Sequence, residues 1–441
     1  MGQLLIKNCE RIVTMDESAG RPIHKQRDIL ITDNRIERIG VIDPAQAPGA
    51  RVLDGTGLTA IPGLIQTHIH LCQSPFRNTA DDTELMDWLS QYIWPGEARL
   101  DQDSLKLAAR VGIGELLLGG TTCILDMATL RHTNSVFEAL DEAGMRAISG
   151  KCMMDDTDIC PPELVEDTAA ALRETRELIE RWHGHKGRLG VAITPRFAVS
   201  CTTELMKECI KLSEEHGLLI HTHASENRGE IELVRKKTGY GNLEYFEQIG
   251  LLSNRACLAH CVHLEDGDLE RLKKYDARIL HCPSSNLKLA SGIAPIPTYL
   301  DEGLCVSLGA DGAPCNNLLD MFSEMRLAAL IHKPGNGPKA MPADQVFEMA
   351  TLQGAKALGM ANEIGQVRPG FKADIALVDL NQHHNLPSHN VYASLVYASR
   401  ASDVRHVVVD GEIRVRDGKL TFGEIRDWLW EFASLSNQGK M

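Results

Sequence analysis

The chain has 441 residues, 43% of them hydrophobic, with a formal net charge of −14 and a pI of about 5.7. That balance, with no run of five or more basic residues, excludes a nucleic-acid or anionic-membrane surface. No apolar stretch reaches ~18 residues and the start, MGQLLIKNCERIVTM, has no leader-like apolar region, so no membrane span or secretion signal is predicted and a cytoplasmic location is expected.

Residues 3–14 (QLLIKNCERIVT) and 28–40 (DILITDNRIERIG) read as short strands, the second turning at Asp33-Asn34. Eight further β-like runs follow, at 58–70, 121–127, 146–154, 189–197, 218–226, 256–264, 277–285 and 304–312. Segments of helical spacing lie between them, such as 163–182 and 319–333. Strands alternating with helices predict an α/β fold with a parallel sheet and right-handed crossovers. Eight repeats over roughly 300 residues predict a closed (β/α)8 barrel. A doubly wound open sheet is the alternative, but no GxGxxG follows the first strand. Beyond these runs, 373–380 and 404–420 again read as strands, with Asp-Gly turns. The twelve cysteines are scattered without a CxxC and read as reduced thiols.

The first barrel run contains IPGLIQTHIHL (61–71). In a strand, residues i and i+2 face the same side, so His68 and His70 aim together. Three such pairs occur: His68/His70, His183/His185 and His221/His223. Chance supplies about 0.7 of a pair in so histidine-rich a chain, so position must decide. Barrel chemistry gathers at the C-terminal strand ends. There stand His68 and His70 (first run), Arg196 (fourth), His223 and Glu226 (fifth), His260 (sixth), His281 (seventh) and Asp311 (eighth). His183/His185 follows a helix in a Gly/Lys-rich loop and reads as ordinary surface.

Imidazole nitrogen and carboxylate oxygen suit Zn²⁺ or Fe²⁺, and a catalytic site leaves one position open. His68, His70, His223 and Asp311 offer three nitrogens and one oxygen from three strands. A divalent ion there brings the pKa of water toward ~7. Asp311 could take the water's proton, Glu226 could carry a proton to the substrate, and His260 could hold the attacking oxygen in line. For His260 the plain alternative is a core histidine bonded to backbone. His281, in HCPSSN, reads as support for the site rather than a direct contact. Cys261 and Cys282 read as small apolar core residues.

PGLIQTHIH, HTHASE, LAHC and GADG, in this order over nearly the whole chain, resemble the amidohydrolase superfamily in its mononuclear branch. The resemblance implies a TIM-type barrel over 58–366 and a small β-sandwich domain built from both chain ends. The sandwich would comprise residues 1–57 and 367–441, the latter ending in a C-terminal helix. It implies one divalent metal per subunit, Zn²⁺ ahead of Fe²⁺, held by His68, His70, His223 and Asp311. It implies Glu226, His260 and Asp311 as catalytic residues, and a homo-oligomer.

Two neighbours within the superfamily compete. HCPSSNLKLASGIAPI and LGADGAPCNNLLDMFSEMRLAAL are similar to the methylthioadenosine/S-adenosylhomocysteine and 5′-deoxyadenosine deaminases, which attack C6 of an adenine and release ammonia. HLCQS with Gln73, DWLSQYIWPGEAR, SGKCMMD and TPRF with Arg196 and Phe197 are similar to guanine deaminases, whose Gln and Arg-Phe pair contact the base. Where this chain has Arg196, methylthioadenosine deaminases usually carry a His in a PH context. Trp88 can offer a face to a base or thioether, or pack beneath a barrel lid. Glu97 can accept two ribose hydroxyls, although guanine deaminases also have a Glu there. Arg196 can donate to a purine nitrogen or carbonyl, or form a structural ion pair. The 155–162 loop, DDTDICPP, has no arginine for an amino-acid carboxylate, which ranks S-adenosylhomocysteine below smaller 5′-substituted adenosines.

The expectation is therefore a metal-dependent deaminase of adenosine-type nucleosides such as 5′-deoxyadenosine or 5′-methylthioadenosine. A guanine deaminase, a triazine or pterin hydrolase, and an inactive binding barrel are the alternatives. A cytidine-deaminase fold is excluded, because its H-x-E followed by PCxxC is absent.

Overall fold

A computed structural model describes residues 2–437. The first barrel strand, Leu64–His70, pairs in parallel with the second, Thr121–Met127, and that with the third, Arg146–Gly150. The third strand and its continuation Cys152–Met153 pair with a fourth in two pieces, Leu189–Val191 and Thr194–Pro195. Parallel bridges Ile193–Ile220 and Phe197–His223 lead on to the fifth, Ile220–Ala224. The sixth, Ala256–His260, the seventh, Arg278–His281, and the eighth, Val306–Leu308, follow in parallel order. The eighth resumes at Asp311–Gly312, which pairs with Ile69 and His70 and closes the ring. The eight β-like runs of the sequence thus supply the eight barrel strands.

Crossover helices start where the sequence provides caps. Asp101 and Ser104 form a reciprocal capping box at Gln102–Leu118, and the side chains of Asp167, Thr202 and Asp320 accept from first-turn N–H groups of three others. The predicted helical segments 163–182 and 319–333 contain Thr168–Trp182 and Met321–Ile331.

The run 58–70 needs correction, because it is two strands parted by Gly63. Thr59–Pro62 pairs with Gln3–Val13 on one side and Ile375–Val378 on the other, and Leu64–His70 alone enters the barrel. A Cβ on Gly63 would lie 2.0 Å from the Thr122 hydroxyl, so the chain crosses between units where only glycine fits. Because Thr59–Pro62 joins the strands of the two ends, they form one continuous nine-stranded sheet rather than two separate ones. That sheet has its own apolar core, in which Leu4, Ile6 and Ile31 from the start of the chain meet Ile375, Leu377 and Val408 from its end.

Two of the contacts that fasten this sheet to the barrel come from far apart in the chain. Arg146, the first residue of the third barrel strand, donates to Asp374 (2.6 and 3.1 Å) and to Asp410 (2.8 Å). The C-terminal helix Ile425–Asn437 packs Trp428 against Leu107 and Val111. All twelve cysteines are buried and unpaired. Among the described residues, no helix is long and apolar enough to cross a membrane.

Candidate active site

His68, His70, His223 and Asp311 meet at the C-terminal end of the barrel, with one ligand-type atom from each lying within 4.8 Å of the others. Asp311 Oδ1 is 3.3 Å from His68 Nε2 and 3.4 Å from His70 Nε2, and the Nε2 atoms of His70 and His223 are 3.3 Å apart. The closing strand comes this near because residue 309 is glycine. A Cβ there would sit 2.7 Å from backbone atoms of His68.

The outward-facing nitrogens fix the orientation of the rings. His70 Nδ1 is 2.8 Å from the Met127 carbonyl, and His223 Nδ1 is 2.7 Å from the Arg196 carbonyl. A carbonyl can only accept, so both rings carry their proton on Nδ1 and present the Nε2 lone pair to the centre. His68 Nδ1 instead lies 2.7 Å from His221 Nε2. Burial keeps these imidazoles neutral, pushing His70 down to about 3 and lowering His68 and His223 as well. His68 Nε2 is buried without a hydrogen-bond partner among the described residues. Three neutral imidazole nitrogens and a carboxylate oxygen converging at one point fit a divalent metal.

Further titratable groups stand beside this cluster. His260 Nε2 is 3.5 Å from Glu226 Oε2 and 3.9 Å from Asp311 Oδ2. Its Nδ1 is held by Asn286 Oδ1 at 2.8 Å. Burial raises the Glu226 carboxyl to about 7, opposed by His260 and assisted by the charge of Asp311. His260 and Asp311 both have left-handed backbone, at φ 74° and 64°. Such conformations cost on the order of 1–3 kcal/mol each and gather at working sites.

A slot opens onto the cluster. Leu85, Trp88, Leu89, Phe197 and Leu289 form its apolar wall, and Gln73 and Arg196 its polar one. Trp88 belongs to the short helix Leu85–Trp88, in the segment after the first strand. Glu97, expected to face a ribose, does not line the slot. Arg196 grips it at 2.7 and 3.3 Å and Gln73 donates to it at 2.8 Å. A buried carboxylate needs such partners, and these two consume its oxygens. Arg196 is thus both the slot wall and the ion-pair partner of a residue 99 positions away.

His183 and His185 lie far from the cluster, His183 exposed and His185 beside Asp141. His281 is buried, with neither ring nitrogen partnered among the described residues, and its ring neighbours His332 at 5.9 Å rather than the ligands. Sequence reasoning missed several supporting residues. Ser285 donates to Asp311 at 2.7 Å, Ser291 to Glu226 at 3.3 Å, and Asn286 orients His260. Asp126 accepts from Ser149 and from the backbone N–H of Leu71, pinning the chain just after His70. Only His221 carried a signal, since its spacing from His223 turns both to one side.

The chain matches the model of the Amidohydrolase family over residues 59–414. It is 41% identical over 399 residues to the 5′-deoxyadenosine deaminase of Methanothermobacter thermautotrophicus, covering 90% of this chain and 91% of that one. It is 39% identical over 388 residues to the 5-methylthioadenosine/S-adenosylhomocysteine deaminase of Syntrophobacter fumaroxidans, covering 87% of each. Among solved structures, an adenosine deaminase from Xanthomonas campestris with bound zinc superposes with a TM-score of 0.91 at 26% identity, over 99% of this chain and 98% of that one.

Proposed function

The chain belongs to the amidohydrolase family, and from that premise we propose that it is a zinc-dependent hydrolytic deaminase of adenosine-type nucleosides, with 5′-deoxyadenosine and 5′-methylthioadenosine as its preferred class. The observation that carries this reading is the convergence of three Nε2 atoms and Asp311 beneath an apolar slot, with a carboxyl titrating near neutrality beside them. The two relatives identical at 41% and 39% bear names of that substrate class. The donor set suits zinc and iron alike, and the zinc in the adenosine deaminase neighbour favours zinc.

His68, His70, His223 and Asp311 would hold a divalent ion, which would supply Lewis acidity and bring the pKa of water toward neutrality. The remaining work falls to side chains. Asp311 takes a proton from the attacking water and passes it to the leaving amine, which departs as ammonia. Glu226, protonated up to about pH 7, gives its proton to the ring nitrogen beside C6 and recovers one from the new hydroxyl as the carbonyl forms. His260, between Glu226 and Asp311, keeps the attacking oxygen aligned with C6. Leu85, Trp88 and Leu89 clasp the flat base and exclude water.

One observation favours a second reading, guanine. Gln73 Oε1 is buried on the slot wall with no hydrogen-bond partner among the described residues, an acceptor suited to an N–H edge of that base. Ammonia release from 5′-deoxyadenosine, methylthioadenosine and guanine, with a chelator-treated control, separates the two. Turnover of the nucleosides alone supports the first reading, guanine turnover alone replaces it with the second, and undiminished activity after chelation overturns the metal.

A further inference from the structure

His221 is a buried histidine that the reaction as drawn leaves idle. Two of the three ligand-type histidines are oriented by backbone carbonyls, those of Met127 and Arg196. His68 is oriented by a side chain, with its Nδ1 2.7 Å from His221 Nε2 and the two rings perpendicular, centroids 4.9 Å apart. Both residues are fully buried.

The protons then have one consistent arrangement. His68 presents a lone pair at Nε2 only if its proton sits on Nδ1, which must donate to His221 Nε2. His221 therefore carries its own proton on Nδ1. That atom is buried and has no hydrogen-bond partner among the described residues. An unmet buried donor is a cost that an apolar residue of similar size would avoid. Packing alone gives no reason for a histidine here, whereas the lone pair it offers His68 does. The spacing adds to this. His223 stands two residues on, so the fifth strand both supplies one ligand and steadies another across the barrel.

We propose that His221 is the positioning residue of the metal centre, fixing the tautomer and ring angle of His68 by accepting its Nδ1 proton. The inference rests on the metal reading above. A ligand's outer partner typically governs metal affinity by about 10–100-fold. His68 is the one of the three whose partner can be altered by substitution without touching the backbone.

The test is zinc affinity of the metal-stripped full chain, measured by competition with a chromophoric chelator. It compares the parent, His221→Phe, which keeps a ring but accepts nothing, and His221→Gln, whose amide oxygen still accepts. Thermal melting of each stripped protein reports folding independently of metal. The expected result is zinc bound about 10–100-fold more weakly by His221→Phe, affinity largely restored in His221→Gln, and stripped melting temperatures no lower than the parent's. Parent-like affinity in His221→Phe overturns the proposal, as does equal weakening in both variants. If His221→Phe does not fold, His221→Ala takes its place in the same comparison. A parent that binds no zinc overturns the metal reading as well, whereas a tight-binding parent with an unaffected Phe variant removes only the role of His221.

Discussion

Two of the buried arginines of this barrel stand at opposite faces and in different company. Arg146 leads into the third strand, at the end facing the nine-stranded sheet, and answers two carboxylates, Asp374 and Asp410. Arg196 follows the fourth strand, at the end facing the slot, and answers one, Glu97. Burial alone would weaken either charge, yet the adjacent carboxylates hold both guanidinium groups above their ordinary range. The difference lies in what remains accessible. Arg146 spends its donors on the two carboxylates of the sheet and on the Gly187 carbonyl of the barrel, while Arg196 keeps a surface on the cavity and lends its carbonyl to His223. A buried ion pair is thus no sign of function by itself; its face of the barrel and its unspent atoms are what separate cohesion from chemistry.

The contrast can be broken most directly at the slot face. Glu226→Gln keeps shape but removes the titrating proton, and kcat for the preferred nucleoside should fall roughly 10²–10⁴-fold with the unfolding midpoint unchanged. A loss of stability in step with activity would show that this face, too, serves cohesion. At the other face, Arg146→Met strands two buried carboxylates and should cost about 3–5 kcal/mol in urea unfolding. Turnover per folded molecule should stay at the parent's level, and a drop would merge the two roles. Arg196→Met combined with Glu97→Gln removes both partners, so no buried charge is stranded. Stability should stay near that of the parent while kcat/KM falls about 10–100-fold through a misplaced slot wall, which steady-state kinetics on the double variant would resolve. The smallest effect is in pH. Burial raises the Glu226 carboxyl to about 7, so with Glu226 as the proposed proton donor kcat should hold below pH 7 and decline above it. A kcat that climbs through pH 7 would reassign the proton donor.

The histidines and Asp311 were legible because chemistry at strand ends leaves unusual residue types at short spacings, and HxH in a strand has one geometric meaning. The eight runs were legible from strand–helix alternation. What could not be read was pairing across distance. Glu97 read as a ribose contact and Arg196 as a base contact or half of a structural ion pair, but nothing local reveals that they bond to each other. Ser285, Asn286 and Asp126 are ordinary residue types made specific only by the atoms they face. The break at Gly63 was hidden because both flanking strands are apolar and β-prone, so composition runs smoothly through the crossing.

The strand Thr59–Pro62 has a temporal consequence. It joins Gln3–Val13 to Ile375–Val378, and the clamp on Arg146 needs Asp410. At ~5–20 residues per second, the ribosome delivers Asp410 roughly 20–80 s after the first strand emerges. Throughout that interval the nascent chain carries an open strand edge with its partner not yet made, the species most prone to self-association. Synthesis of this protein therefore has a vulnerable window set by the distance between its two ends, and a transcript truncated short of residue 375 would never close it.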